Sequence, residues 1–97
     1  MNETPLEPRA SHVALCVEFL SQCEPTSRAT SGSVFLGTYG LKHIIERWAG
    51  DYILEQECVL AARQLGLVLV ELWSEGSYGV GLTQKSVARM GNQRRSR

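Results

Sequence analysis

Thiols and imidazoles are the side chains of this chain best suited to binding a metal ion. The sequence has three cysteines and two histidines. A structural zinc site normally draws its ligands from closely spaced pairs such as Cys-x-x-Cys, and the cysteines here have no such spacing. We therefore predict no metal and no other cofactor. The side chains predicted to be small apolar groups of the core are Cys16, Cys23 and Cys58.

A histidine is also the residue that could act as a general base. His43 lies one position from the apolar stripe of a predicted helix, with Glu46 within one turn. Catalysis also needs a nucleophile or a second titratable group in a recognised catalytic pattern with the imidazole, and no motif of this chain forms such a pattern. Gly76, Gly79 and Gly81 match neither the P-loop nor the GxGxxG pattern of phosphate-binding loops. We predict that the chain is not an enzyme and that His43 is structural.

Charge is divided unevenly along the chain. All ten acidic residues precede Gly76, whereas half of the ten basic residues follow it. The net charge of zero therefore conceals an acidic body and a basic end. A basic end can bind phosphates without reading base sequence, bind an acidic protein surface, or only solubilise the chain. If the basic end binds phosphates, the residues predicted to contact nucleic acid are Lys85, Arg89, Arg94, Arg95 and Arg97.

Aromatic and acidic side chains predict a surface for a protein partner. Aromatic rings give a large contact area at a low cost in conformational entropy, and a core this small cannot bury all of them. An acidic run follows Gly50, and its carboxylates can form either a negative face beside the exposed rings or an ordinary solvated helix surface. The predicted partner-binding residues are Tyr52, Glu55, Glu57, Trp73 and Tyr78.

Two amphipathic helices are predicted in the first half of the chain. The first begins at Ser11, whose hydroxyl can cap it, and ends before Pro25. The second begins at Thr38 and ends at Gly50, because glycine adopts the left-handed cap conformation without strain. Its apolar stripe predicts the core residues Leu41, Ile44, Ile45 and Trp48. The side chains predicted to face water are Lys42, Glu46 and Arg47.

A third helix is predicted directly after Gly50. Asp51 is placed to cap it and Gly66 to stop it. The two helices around Gly50 could be read as a DNA-binding helix-turn-helix, but the start of the second one is acidic and would repel phosphates. We therefore predict that the pair packs as an ordinary helical corner or hairpin.

The hydrophobic period changes after the third helix. Residues 67–73 are rich in β-branched and large apolar side chains and are bounded by turn formers, which predicts a strand. Residues 78–82 are predicted to return antiparallel to it, followed by one helical turn through Met90. The predicted fold is thus α+β and mostly helical, with three helices and a short C-terminal β-hairpin. Its parts are a flexible arm at residues 1–10, the domain at 11–90 and a disordered basic tail at 91–97.

No stretch of the sequence predicts export or membrane insertion. Residues 2–9 carry two acids and two prolines, where a signal peptide has a basic and an apolar segment. The longest apolar run, residues 65–70, is far shorter than the roughly 20 residues that span a bilayer. These patterns predict a cytoplasmic protein without a membrane partner.

Residues 39–67, which read YGLKHIIERWAGDYILEQECVLAARQLGL, resemble small uncharacterised proteins of bacteriophages and mobile elements. The resemblance lies in a Tyr-Gly-Leu-Lys-His helix start, a Gly-acid-Tyr corner and an Ala-Ala helix that ends in glycine. It implies a non-enzymatic protein in the host cytosol that binds a host protein or ribonucleoprotein complex, as anti-CRISPR inhibitors of defence effectors do. The alternative is a nucleic-acid-binding accessory or transcriptional regulatory protein that uses the basic tail, with a homodimer possible.

Overall fold

Four helices and one two-stranded antiparallel sheet form the described part of the chain. The computed structural model describes residues 7–27, 37–72 and 76–95. In chain order the elements are α1 (Ala10–Leu20), α2 (Thr38–Ala49), α3 (Glu55–Gln64), β1 (Leu69–Glu71), β2 (Tyr78–Val80) and α4 (Gln84–Gly91). The mostly helical α+β class is confirmed. The count of three helices is wrong, because residues 84–91 form a full helix rather than one turn.

α4 is a full helix because its first turn is capped and its inner face is apolar. The Thr83 hydroxyl accepts a hydrogen bond from the Ser86 N–H at 3.2 Å, which satisfies a donor of the first turn. Val87 and Met90 are buried in the core, and the helix packs on α2. Gly91 lies so close to α2 that a Cβ built on it would be 2.8 Å from the Ile44 Cγ2 methyl.

α1 packs chiefly against α3 rather than against α2, the next helix in sequence. The core cluster that contains this contact includes Cys16, Phe19 and Leu20 of α1 and Cys58, Ala61 and Ala62 of α3. The two alanines have short side chains, which allows the helices to approach closely. α1 begins at Ala10, one residue before the predicted start, and ends at Leu20, several residues before Pro25.

The connection between α2 and α3 is an extended segment. α2 ends at Gly50 as predicted, and this glycine has a left-handed φ of 73°. The prediction that Asp51 caps α3 is wrong, because residues 52–54 are not helical and α3 begins at Glu55. The Glu57 carboxylate accepts the Leu54 N–H at 2.7 Å, so the start of the helix is stabilised from within its own first turn.

The predicted core stripe of α2 is confirmed. Leu41, Ile45 and Trp48 are buried, and Ile44 packs against the same cluster. The prediction that Lys42 faces water is wrong. Lys42 is only 6% exposed. Its ammonium group donates to the Glu46 carboxylate of α2 and to the Ile53 carbonyl oxygen in the following connection.

β1 and β2 form the predicted antiparallel hairpin, with shorter strands than expected. The three cross-strand pairs are Leu69 with Val80, Val70 with Gly79, and Glu71 with Tyr78. Gly76 in the turn has a φ of 84°, which glycine adopts without a steric penalty. Trp73, which was predicted to end the first strand, lies outside the described residues.

The predicted disordered tail, residues 91–97, makes specific contacts with the helices in its described part, which ends at residue 95. The Arg95 N–H donates to the Trp48 carbonyl oxygen at 2.9 Å, and its Nε donates to Glu18 Oε1 at 2.9 Å. Arg94 Nη1 lies 3.4 Å from the Arg47 carbonyl oxygen. Carbonyls at the C-terminal end of a helix carry partial negative charge, so cations near them are stabilised. Residues 1–6 of the predicted arm, and residues 96 and 97, lie outside the described part of the chain.

All three cysteines are buried in the core as predicted, and their thiols are free. Burial raises the pKa of Cys16 to about 12 and that of Cys23 to about 11, and it raises the pKa of Cys58 well above its ordinary value. Because the thiolate is the reactive form, we expect no reaction of the folded chain with a disulfide reagent at about pH 8 and full reaction in guanidinium. Rapid labelling of the folded chain would contradict this burial.

Within the described ranges, no helix combines the length and the apolar character needed to cross a membrane. The longest described helix, α2, has 12 residues.

Candidate partner-binding surface

The predicted partner-binding residues that the structure describes differ widely in exposure. Tyr52 is 60% exposed. The prediction for Glu57 is wrong, because its side chain is fully buried and no partner can reach it. Its Oε1 accepts the Leu54 N–H and its Oε2 accepts the Arg9 N–H, both at 2.7 Å, so this carboxylate stabilises the fold. Trp73 is not among the described residues.

Glu55 and Tyr78 belong to one hydrogen-bond network. Glu55 Oε2 accepts the hydroxyl of Thr38 at 2.6 Å and the hydroxyl of Ser77 at 2.7 Å. The Thr38 hydroxyl in turn accepts the Tyr78 N–H at 3.0 Å. The Tyr78 ring lies 5.1 Å from the guanidinium of Arg63. Both residues therefore join elements of the fold, and their contact with a partner stays a prediction.

Two exposed aromatic side chains flank the Lys42 ammonium beside the N-terminal half of α2. Tyr39 and Tyr52 are each 60% exposed. The Lys42 ammonium lies 4.7 Å from the Tyr52 ring centre and 5.9 Å from the Tyr39 ring centre, within cation–π distance of both. The Tyr39 ring also meets the His43 ring edge to face, with the centres 4.7 Å apart. We call these four residues, Tyr39, Lys42, His43 and Tyr52, the tyrosine patch.

Glu46 holds the tyrosine patch together. Its Oε2 accepts the Lys42 ammonium at 3.1 Å and the Ile53 N–H at 3.0 Å, and its Oε1 lies 2.9 Å from His43 Nδ1. Lys42 also donates to the Ile53 carbonyl oxygen at 3.0 Å. Both backbone polar groups of Ile53 are thus bound to side chains of α2, which fixes the preceding residue, Tyr52, beside this helix.

Glu46 is favoured in its ionised form. Partial burial acts to raise the pKa of this carboxyl, but hydrogen bonds from Ile53, Lys42 and His43, together with the charge of Lys42, hold the pKa below its ordinary value. Because the folded-state pKa is lowered, the stabilisation from Glu46 is present above the ordinary carboxyl pKa and is lost as the pH falls through the lowered one. The patch is therefore held together at neutral pH.

A carboxylate lies at the edge of the tyrosine patch. The Asp51 side chain is 53% exposed, and its Oδ1 accepts the Tyr52 N–H at 2.9 Å. Its Oδ2 is 3.5 Å from His12 Nε2, and His12 Nδ1 is 3.3 Å from the buried Glu57 carboxylate. Asp51 thus gives the patch an exposed negative charge that is connected through His12 to α1.

The arrangement is suited to non-covalent contact. The exposed phenol rings offer apolar area and hydroxyl groups, and Asp51 adds one charge. Across the described residues, no group of three or more His, Cys, Asp or Glu side chains is placed to hold a metal ion.

The structure divides the residues predicted to contact nucleic acid. Lys85 and Arg89 are exposed on α4, four positions apart. Arg94 and Arg95 are also exposed, but they contact backbone carbonyls of α2, and Arg95 pairs with a carboxylate of α1. Arg97 lies outside the described residues.

Sequence reasoning missed Tyr39 as a candidate contact residue. Its spacing of three and four positions to Lys42 and His43 places all three on one side of a helix, and this signal could have identified it. The position of Tyr52 had no comparable signal, because it depends on an extended connection that binds back to α2.

No family model, curated protein or solved structure matches this chain. The function of this chain is therefore inferred from the described surface and from the resemblance of residues 39–67.

Proposed function

We propose that this chain is a non-enzymatic protein-binding module whose contact surface is the tyrosine patch with Asp51. The observation that supports this most strongly is the pair of exposed tyrosine rings that flank the ammonium of Lys42. Tyrosine is enriched among the residues that dominate binding energy, because it offers a large area and few rotatable bonds. Rings already held in place lose little further freedom when a partner covers them.

The proposed partner is a host protein or ribonucleoprotein complex in the host cytosol. The tyrosine patch lies within residues 39–67, the segment that resembles phage and mobile-element proteins. This supports an inhibitor of a host defence complex, comparable in kind to anti-CRISPR proteins. Such an inhibitor acts by occupying a surface of the effector, so it needs contact residues in fixed positions rather than catalytic groups.

The exposed charge at the patch favours a partner with a basic side chain beside an apolar surface. Asp51 is the half-exposed carboxylate next to Tyr52, and opposite charges across an interface speed association and fix the orientation of the partner. Replacing Asp51 by lysine should therefore slow association.

We expect the double variant Tyr39→Ala/Tyr52→Ala to lose its partner while the fold persists. Removal of two dominant aromatic contacts should weaken binding by about 100-fold or more. The chain and its variant would be immobilised and exposed to a bacterial lysate, and the retained proteins identified by mass spectrometry. Calorimetry with the purified partner then gives the affinity.

The control variant is Leu60→Ala, since Leu60 is an exposed apolar residue of α3, 42% exposed and outside the patch. It should retain the partner. Equal retention by the double tyrosine variant would contradict the proposal. Capture that falls steeply with salt and is lost in Lys85→Ala/Arg89→Ala would instead favour the nucleic-acid alternative.

A further inference from the structure

Within the part of the chain that the structure describes, β1 is an edge strand of the sheet. Among the described residues it pairs with β2 alone. The backbone groups of residues 68 and 72 face β2. The Val68 carbonyl oxygen accepts the Gly81 N–H at 2.8 Å, and the Leu72 N–H donates to the Ser77 carbonyl oxygen at 3.0 Å. Because this orientation alternates along an antiparallel strand, the N–H and C=O groups of Leu69 and Glu71 point away from β2.

The outward groups of Leu69 and Glu71 lie symmetrically on either side of Val70, which is 50% exposed. We propose that β1 pairs with β1 of a second copy of this chain, antiparallel across a two-fold axis at Val70. The two hairpins then form one four-stranded sheet in the order β2, β1, β1, β2. This inference concerns self-assembly and does not depend on the tyrosine patch.

The pairing has one natural register. Leu69 lies opposite the partner's Glu71, and the two residues exchange N–H···O bonds through the groups that face outward in the single chain. Val70 then lies opposite the partner's Val70 in a non-hydrogen-bonded pair, where side chains are closest. The half-exposed Val70 of each chain is then covered by the partner's Val70.

Charge and sheet size both favour a second copy as the occupant. Glu71 is the charged residue of β1, and in this register it faces the partner's Leu69 instead of another carboxylate, so like charges are not directly opposed. A sheet of two three-residue strands has little stability of its own, whereas sheets of three or more strands are better supported.

The first test is sedimentation equilibrium of the full chain from about 10 μM to 1 mM, with two substitutions at one position. Glu71→Pro removes an outward N–H and adds a ring at the edge, without removing a hydrogen bond of the hairpin. We expect it to raise the dimer dissociation constant by about tenfold or more, since both copies lose a donor. Glu71→Lys keeps the N–H and should still dimerise.

The second test is disulfide formation, which does not require the proline variant to fold. In the proposed register the Cα atoms of residue 70 in the two copies are close enough for a disulfide, whereas those of residue 71 are separated diagonally. Val70→Cys should therefore form a covalent dimer under mild oxidation much faster than Glu71→Cys. The native thiols are buried and do not compete.

A concentration-dependent dimer that Glu71→Pro weakens, together with selective cross-linking at residue 70, is the expected result. A chain that stays monomeric up to about 1 mM overturns the proposal. So does a dimer that is unaffected by Glu71→Pro, or one that cross-links equally at residues 70 and 71. None of these outcomes alters the expected effect of the tyrosine substitutions on partner capture.

Discussion

Replacing Ile45 by alanine will lower the free energy of unfolding by about 2 to 4 kcal/mol. Ile45 is fully buried in the core cluster. The variant loses the transfer free energy of the deleted carbons and leaves a cavity that surrounding helices fill only in part. A small domain has a total stability of only about 5 to 10 kcal/mol, so thermal unfolding followed by circular dichroism should detect a large fall in the midpoint.

Leu60→Ala is the matched control for this prediction, because the same class of side chain is shortened at a residue that is 42% exposed. Its effect should be about 1 kcal/mol or less. If Ile45→Ala unfolds at the same temperature as the parent, the apolar stripe of α2 does not face the core.

Replacing Glu57 by alanine is expected to cost about 3 to 5 kcal/mol. The carboxylate is fully buried and accepts the N–H groups of Leu54 and Arg9, one at the start of α3 and the other at the start of α1. The variant leaves His12 without a carboxylate at 3.3 Å and both N–H groups without their acceptor. Chemical denaturation monitored by fluorescence gives the difference in free energy.

Two further variants sharpen this test. Glu57→Gln keeps the shape and one acceptor oxygen, so its cost should lie between that of Glu57→Ala and zero. Glu71→Ala removes an exposed carboxylate of β1 and should change the free energy of unfolding by about 0.5 kcal/mol or less. Full stability of Glu57→Ala would show that the buried carboxylate is dispensable.

The elements that sequence reasoning located correctly are those whose signal is local. The stripe of α2 follows a period of 3.6 residues, and Gly50 ends the helix in the left-handed conformation, so both could be predicted from neighbouring residues. The hairpin was predictable for the same reason, from a change of period bounded by turn formers.

The exposure of two charged side chains was predicted wrongly, because their environment is set by residues distant in sequence. Lys42 and Glu57 were assigned to exposed faces, as their residue types favour. Lys42 is buried because a carbonyl 11 positions away accepts from it, and Glu57 because it accepts an N–H from 48 positions away. No pattern within one helix carries this information.

α4 and the segment after it were underestimated for a related reason. A helix of eight residues that ends in glycine has a weak intrinsic signal, so its stability depends on the Thr83 cap and on burial of Met90. The arginines beyond it read as a solvated tail, and the contacts of Arg94 and Arg95 with α1 and α2 appear only in three dimensions.

The packing of α1 on α3, with α2 between them in sequence, bears on how fast this chain folds. Helical proteins whose neighbours in sequence are also neighbours in space fold in microseconds to milliseconds, because little loop entropy is lost before contacts form. Here the largest helix contact closes across all of α2, and the Arg9–Glu57 hydrogen bond spans 48 positions. We expect refolding to be slower than in a helical hairpin protein of the same length, with the rate set by the meeting of α1 and α3.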